Sequence, residues 1–134
     1  MCGATVLPKR DQHPGFCREI KELLGSKHQE ERAKAGIITH ELARLDEAQA
    51  ENSQHPCLQR MNGDDLRDIQ YLELHQKKQS IRVYFTVIDG CTWMLAINDS
   101  KRRTPVTDGM KERLRIRLGE VKEKAQKKAT SGAR

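Results

Sequence analysis

Apolar residues recur at helical spacing in the first third of the chain. Residues 14–24 carry one stripe of an amphipathic helix, formed by Phe16, Ile20, Leu23 and Leu24. Gly25 suits the C-terminal cap of this helix. Ser26 and Gln29 form a capping box that opens a second helix, whose apolar stripe is Ala35, Ile38, Leu42 and Leu45. We expect the two helices to form a hairpin.

The apolar period then changes from 3.6 residues to 2, which is typical of β-strands. Residues 80–88 alternate, Asp89-Gly90 predicts a tight hairpin turn, and residues 91–98 continue as the next strand. Residues 71–75 alternate as well, so three antiparallel strands are predicted to form a meander. A weak opening strand is also predicted at Ala4 to Leu7, whereas the polar stretch 51–68 is predicted to be a loop.

One more helix is predicted in the last third of the chain. Thr104-Pro105 suits its N-terminus, and its apolar stripe is Val106, Met110, Leu114, Leu118, Val121 and Ala125. The fold class is therefore α+β, with the helical hairpin packed on a small antiparallel sheet and a C-terminal helix. We expect a single domain over residues 1–125, followed by a disordered basic tail over residues 126–134.

The composition narrows the class of protein. A chain of 134 residues suffices for one domain, and with 36% apolar and 4% aromatic residues its core is modest and aliphatic. No apolar run reaches the ~18 residues of a membrane span, and no signal peptide is recognised, so a cytoplasmic protein without membrane contact is expected. The four cysteines form no C-x-x-C pair, which predicts reduced thiols and neither a metal nor a cofactor.

The net charge of +6 is concentrated near the C-terminus. Residues 1–100 carry 13 Lys/Arg and 15 Asp/Glu, whereas residues 101–134 carry 12 and 4. Such a cationic segment is expected to bind a polyanion, because each phosphate that it neutralises releases condensed counterions. The alternative is a solvated helix face with a basic tail.

The predicted strand pairing sorts side chains onto two faces of the sheet. Residue 73 falls opposite 82, and residue 82 falls opposite 97. One face is mixed and predicted to be partly open, with Tyr71, Glu73, His75, Arg82, Tyr84, Trp93 and Ile97. The other face is apolar and predicted to meet the helical hairpin, with Leu72, Leu74, Ile81, Val83 and Phe85.

The basic run Lys101-Arg102-Arg103 is predicted to emerge at the same end of the sheet as His75 and Arg82. Cations that converge in this way repel one another unless an anion is bound, and phosphodiesters are the usual ligand. The alternative is a solvated charge run, with Arg82 paired to Glu73 across the strands.

Residues 71–105 resemble a known family. The Leu-x-Leu strand at 72–74, the segment Ile81-Arg82-Val83-Tyr84-Phe85, the Asp-Gly hairpin and the Lys-Arg-Arg-Thr-Pro entry into the last helix are similar to the RelE/HigB superfamily of toxins, in its phage-related HigB-like branch. The layout of elements is similar over residues 14–125. The family often has a tyrosine or histidine near the start of the last helix, where this chain has Thr107, Asp108 and Gly109.

The resemblance implies a RelE-like fold and a ribosome-dependent mRNA endoribonuclease of a toxin–antitoxin system, which inhibits translation and is neutralised by a helix-turn-helix antitoxin. It implies that Arg82 contacts the scissile phosphate and that Lys101 and Arg102 belong to the family's basic loop after the strand. At position 75 this branch usually has arginine, so the role of His75 stays open; our hypothesis is that His75 is the general acid or base and that Arg82 and Arg102 are the catalytic cations at the transition state. Further contacts with RNA phosphates are expected for Lys77, Lys78, Tyr84, Lys101 and Arg103. The reaction, attack of a ribose 2′-hydroxyl on the adjacent phosphate, needs no metal or cofactor.

The implied partners are mRNA, the ribosome and the antitoxin, and a homodimer is also compatible with the sequence. Trp93 and the apolar stripe of the last helix are the expected antitoxin contacts, and packing against that helix is the alternative role for Tyr84. Two other functions stay open. One is a domain of the same fold that binds RNA or the ribosome without cleaving it, and the other is a phage or mobile-element factor that acts on a host protein.

Overall fold

A computed structural model describes residues 9–50, 58–61, 63, 65–76, 79–101 and 106–132. The described elements, in chain order, are β1 (Lys9–Gln12), α1 (Pro14–Leu24), α2 (Gln29–Ala50), β2 (Leu58–Arg60), β3 (Ile69–Gln76), β4 (Gln79–Ile88), β5 (Cys91–Lys101) and α3 (Asp108–Gly132). The fold is α+β, with three helices and a mixed five-stranded sheet in the order β1-β5-β4-β3-β2. The α+β class is as predicted, but the sheet has more strands than the sequence pattern indicates.

Two edge strands account for the difference in strand number. β2 lies within the stretch predicted as a loop, and pairs antiparallel with β3. β1 is entirely polar and pairs parallel with β5. Both are short and are held by backbone hydrogen bonds along one edge, so neither needs the apolar alternation that reveals a half-buried strand. The opening strand predicted at Ala4 to Leu7 lies outside the described residues.

The helices α1 and α2 cover one face of the sheet. Their apolar stripes contribute Phe16, Ile38, Leu42 and Leu45 to a buried cluster, together with the sheet residues Leu72, Leu74, Ile81, Val83, Phe85 and Met94. The alternation in β3 and β4 therefore assigns the apolar face correctly. Asp89 and Gly90 connect β4 to β5 with positive φ angles of 50° and 77°, as a two-residue hairpin turn requires.

Helix α3 covers the opposite face. Its buried residues Met110, Leu114, Leu118 and Val121 pack in one cluster with the sheet residues Ile69, Tyr84, Trp93, Leu95 and Ala96. The helix begins at Asp108, and the Thr107 hydroxyl accepts a hydrogen bond from the Met110 amide at 3.2 Å, so Thr107 is the N-cap. The start predicted at Thr104-Pro105 lies outside the described residues and before this cap.

The helix also continues further than the sequence pattern indicates. It runs through Gly132 and so includes residues 126–132, which were predicted to belong to a disordered tail. The first four residues of this stretch, Gln-Lys-Lys-Ala, have high helix propensity and continue the helix beyond the apolar stripe, which ends near Ala125. No helix among the described residues has the length and apolarity needed to cross a membrane.

A β-bulge changes the pairing of β4 with β5. The pairs Tyr84↔Ala96 and Phe85↔Met94 leave Leu95 as an extra residue on β5. Arg82 therefore lies opposite Asn98. The predicted pairing of 82 with 97 is wrong, because one inserted residue exchanges the two faces beyond it. Ile97 consequently packs with the α1 and α2 cluster and not on the mixed face.

A buried ion pair joins α1, β5 and α3 beside the bulge. Arg117 is 8% exposed, and its guanidinium donates two hydrogen bonds of 3.0 Å to the Glu19 carboxylate. Arg117 also donates to the Leu95 carbonyl at 2.9 Å, and the Ile97 amide donates to Glu19 at 3.0 Å. The pair therefore supplies hydrogen bonds to the backbone of β5 around the bulge.

Candidate functional site

Three rungs of β3 and β4 bring together five of the side chains of the mixed face. Glu73 lies opposite Arg82, Tyr71 lies opposite Tyr84, and His75 lies opposite Ser80. Paired residues share a face of the sheet, so these six side chains form one row along two neighbouring strands. We call them the β3–β4 row. The predicted pairing of residues 73 and 82 is confirmed.

Arg82 occupies the middle of the β3–β4 row. It is 5% exposed, and its Nη2 lies 3.6 Å from Glu73 Oε1. Its guanidinium carbon also lies 5.9 Å from the centre of the Tyr71 ring, within the range of a cation–π contact. The cross-strand pair with Glu73, the alternative in the sequence analysis, is therefore present. Because that pair is long for a charge-assisted hydrogen bond, the carboxylate does not hold Arg82 tightly.

The two tyrosines form the inner end of the β3–β4 row. Their ring centres are 5.4 Å apart and the rings are tilted by 44°, a favourable geometry for an aromatic pair. Tyr84 is fully buried in the α3 cluster. Burial raises the pKa of its phenol above the ordinary value, and the charge of Arg82 offsets part of that rise. Tyr84 is therefore a neutral packing residue, which favours the alternative over the implied contact with RNA.

His75 forms the outer end of the β3–β4 row. Its side chain is exposed, and its Nδ1 lies 3.2 Å from the Ser80 hydroxyl, a hydrogen bond that orients the ring. Ser80, which makes this hydrogen bond to the imidazole, is itself buried. Ser80 follows from the same pairing that places residue 73 opposite 82, so the sequence pattern contained the signal for it.

The basic residues predicted around this end fall largely outside the described residues. Lys77, Lys78, Arg102 and Arg103 are not among them, and for Lys101 the backbone position alone is described. That backbone pairs with Gln79, one rung beyond the Ser80↔Ser100 pair. The strand pairing therefore places the end of β5 beside the His75 end of the β3–β4 row, as predicted.

Helix α3 buries the residues expected to contact an antitoxin. Trp93 is 3% exposed, and the stripe residues Met110, Leu114 and Val121 are buried against the same sheet face. The mixed face is thus closed at its Tyr84 and Trp93 end and accessible at its His75 end. The expectation that Trp93 and the stripe contact an antitoxin is not supported, because their surface is already covered within the domain.

Sequence reasoning missed the ionic contacts that fix α1 against α3. The helical spacing contained a signal for Arg117, which lies three residues after Leu114 and so falls on the buried side of the helix. At the start of α1, His13 Nδ1 accepts from the Gly15 amide at 2.9 Å, while Nε2 lies 2.9 Å from Glu120 Oε1. These contacts support the sheet face from outside the β3–β4 row.

The β3–β4 row contains a side chain that can act as an acid or a base, His75, and a cation, Arg82. Among the described side chains, no group of three His, Cys, Asp or Glu residues is placed to hold a metal ion. An exposed imidazole is a common general acid or base, and a buried guanidinium can stabilise developing negative charge. No protein-family model, curated protein or solved structure matches the chain. The β3–β4 row is therefore the basis for a proposal of function.

Proposed function

We propose that this protein is a metal-independent endoribonuclease of the RelE/HigB type. The observation that carries the proposal is the β3–β4 row, in which exposed His75 and buried Arg82 lie on the same face of neighbouring strands. Arg82 and the segment around it are also the residues that resemble the family. The cation-rich segments 77–78 and 101–103 adjoin this end of the sheet in the sequence, and would hold the RNA backbone.

The proposed reaction is an internal transfer at phosphorus. The ribose 2′-oxygen forms a bond to the adjacent phosphorus, and the bond from phosphorus to the 5′-oxygen breaks. His75 takes the proton of the 2′-hydroxyl, and the leaving 5′-oxygen gains a proton from a general acid or water. The products are a cyclic phosphate and a free 5′-hydroxyl. Arg82, with Arg102, stabilises the additional charge on the phosphorane-like transition state.

The biological setting follows from the resemblance. In this proposal the substrate is mRNA on the translating ribosome, the effect is inhibition of translation in the cytoplasm, and a helix-turn-helix antitoxin neutralises the protein. Since α3 covers Trp93, the antitoxin would have to contact the open His75 end of the sheet or another surface.

Primer extension on a reporter mRNA in a bacterial cell-free translation reaction tests the proposal. We expect new 5′ ends with the wild-type protein during active translation, and their loss by roughly 10²- to 10³-fold in Arg82→Ala and His75→Ala. His40→Ala, an exposed histidine on α2, is the matched control and should cleave normally. Intact mRNA with translation still running would overturn the proposal.

The geometry of Arg82 favours a second candidate, a domain that binds RNA or the ribosome without cleaving it. Arg82 is 5% exposed and ion-paired, and residues 107–109 lack the tyrosine or histidine that the family often has. For such a domain, ribosome pelleting would show binding that falls steeply with salt. The same primer extension would show no new 5′ ends with any variant.

A further inference from the structure

The opposite end of the sheet holds a pocket that the proposed cleavage site does not use. It has a volume of about 180 Å³ and lies where β3 begins, between β2, the turn at 65–68, the end of β4 and α3. Its charged lining consists of Arg60, Arg67, Lys122 and Asp68. Thr86, on its wall, is four residues from Arg82 along β4, or about 13 Å at ~3.3 Å per residue. One phosphate group therefore cannot occupy both sites.

The charges of the pocket do not cancel. Lys122 Nζ lies 3.4 Å from Asp68 Oδ2, and both side chains are more than half exposed, so this pair is weak. Arg60 and Arg67 make no ion pair with any other residue in the described part of the chain. Three cations thus surround a concave site with a single carboxylate, an arrangement that raises the local concentration of anions.

The fold holds this lining in place from several elements. Arg60 on β2 pairs with Gln70 on β3, which puts both side chains on the sheet face that α1 and α2 cover, whereas Thr86 and Lys122 belong to the α3 side, so the pocket lies where the sheet edge joins the two sides. The Thr86 hydroxyl, which is buried, donates to the Asp68 carbonyl at 2.8 Å and so fixes the turn that carries Arg67. The Gln70 amide adds a neutral donor. Two guanidinium groups and an ammonium suit an oxyanion with several acceptor oxygens, and guanidinium in particular matches phosphate geometry.

We propose that this pocket binds a phosphate group, and that the backbone of an RNA strand is its source. A volume of about 180 Å³ equals roughly six waters at ~30 Å³ each, which is room for a phosphate with part of its hydration. The basic C-terminal third of the chain, of which Lys122 is a part, favours a polyanion over an isolated anion. The site goes beyond the proposed cleavage chemistry and is equally compatible with a domain that binds RNA without cutting it.

The test compares the Arg60→Ala/Arg67→Ala double variant with Arg44→Ala/Lys21→Ala, which removes the same charge elsewhere. Binding of a short fluorescein-labelled single-stranded RNA is measured by anisotropy over a range of salt concentrations. We expect the pocket variant to lose roughly five- to tenfold in affinity, with a salt slope shallower by about 0.7, as for one lost phosphate contact. The control should keep most of its affinity and its slope.

A variant that is expected to bind RNA more tightly controls for loss of binding through misfolding. Asp68→Asn removes the one carboxylate while keeping the backbone carbonyl that Thr86 binds, so RNA affinity should rise several-fold. In parallel, inorganic phosphate is titrated at constant ionic strength and followed by the backbone amide resonances of Arg67 and Gln70. Saturable shifts in these resonances with unchanged RNA affinity in the pocket variant would support a phosphate site filled by a small molecule. No shifts, with RNA binding equal to that of the control, would overturn the proposal.

Discussion

Arg117 and Arg82 are buried to a similar degree, and each faces a glutamate, but they are bonded differently. Arg117 meets Glu19 in two bonds of 3.0 Å and also holds a backbone carbonyl of β5. The pair of Arg82 with Glu73 spans 3.6 Å. Removing one partner of a buried, well-bonded ion pair leaves the other charge without compensation in the protein interior. When the arginine and the carboxylate are further apart, the arginine can bind another anion in place of the carboxylate.

The difference separates a structural arginine from a candidate functional one. Arg117 ties together three elements of the fold, at the point where β5 is irregular. Arg82 lies in the middle of the β3–β4 row, and the exposed His75 lies on the next rung of that row. Burial and residue type are shared, so the geometry of the partner carboxylate is what distinguishes the two roles.

The largest expected effect comes from breaking the tight pair. Arg117→Ala should lower the free energy of unfolding by about 3 to 5 kcal/mol, because it removes the two hydrogen bonds to the partly buried Glu19 carboxylate and the bond to the Leu95 carbonyl. Arg113→Ala removes the longer, exposed contact of 3.9 Å to the same carboxylate, so it is the control and should change stability little. Urea unfolding followed by circular dichroism measures both. Equal midpoints for the two variants would mean that Arg117 contributes no more than a surface arginine.

A crowding substitution tests how firmly the same pair is held. A Cβ at Gly15 would clash with the guanidinium carbon of Arg117, so Gly15→Ala should destabilise by about 1 to 3 kcal/mol. Gly36→Ala is the matched control, because nothing lies within 4 Å of the added methyl group and alanine is the better helix former. We expect a gain of about 0.5 to 1 kcal/mol there. A neutral Gly15→Ala would show that Arg117 can move aside.

The loose pair is tested by removing its negative charge. Glu73→Gln should raise RNA affinity roughly three- to tenfold, because a phosphate no longer competes with a carboxylate for Arg82, and should cost about 1 kcal/mol of stability. Glu41→Gln breaks an equivalent Glu–Arg pair on α2 and should leave RNA affinity unchanged. Fluorescence anisotropy and thermal unfolding measure the two effects. A fall in affinity in Glu73→Gln would show that Glu73 positions Arg82 for RNA.

An exposed ion pair between Arg115 on α3 and Asp65 in the turn at 65–68 gives the smallest expected effect. The hydrogen bond from Arg115 holds the pKa of Asp65 below its ordinary value of 3.8. A lowered pKa in the folded state adds stability that is present above the ordinary pKa and is lost as the pH falls through the folded-state pKa. Wild type should therefore exceed Asp65→Asn slightly in melting temperature at pH 7, and the difference should vanish in acid. A difference that grows below pH 3.8 would contradict this assignment.

Local patterns predicted much of the fold because they report local energetics. Helix α1 was predicted with its observed bounds, and its C-cap Gly25 donates to the Lys21 carbonyl at 2.9 Å. The strands β3 to β5 were predicted from alternation, and the Glu73↔Arg82 rung followed from the length of the link. The short edge strands β1, which is entirely polar, and β2, which has Leu58 as its one apolar residue, carry no apolar alternation, so the sequence could not reveal them.

The residue spacing alone was enough to predict the three helices and the strands β3 to β5, to identify the apolar sheet face, and to place His75 and Arg82 together on the other face. The elements and the two sheet faces follow from the hydrophobic period and from the strand pairing, and both depend on the spacing of residues along the chain. Three features appear only in the folded chain: α3 closes one end of the mixed face, Leu95 forms a bulge, and Arg60, Arg67 and Lys122 line one pocket. These features depend on contacts between residues distant in the chain, whose energies no local spacing encodes.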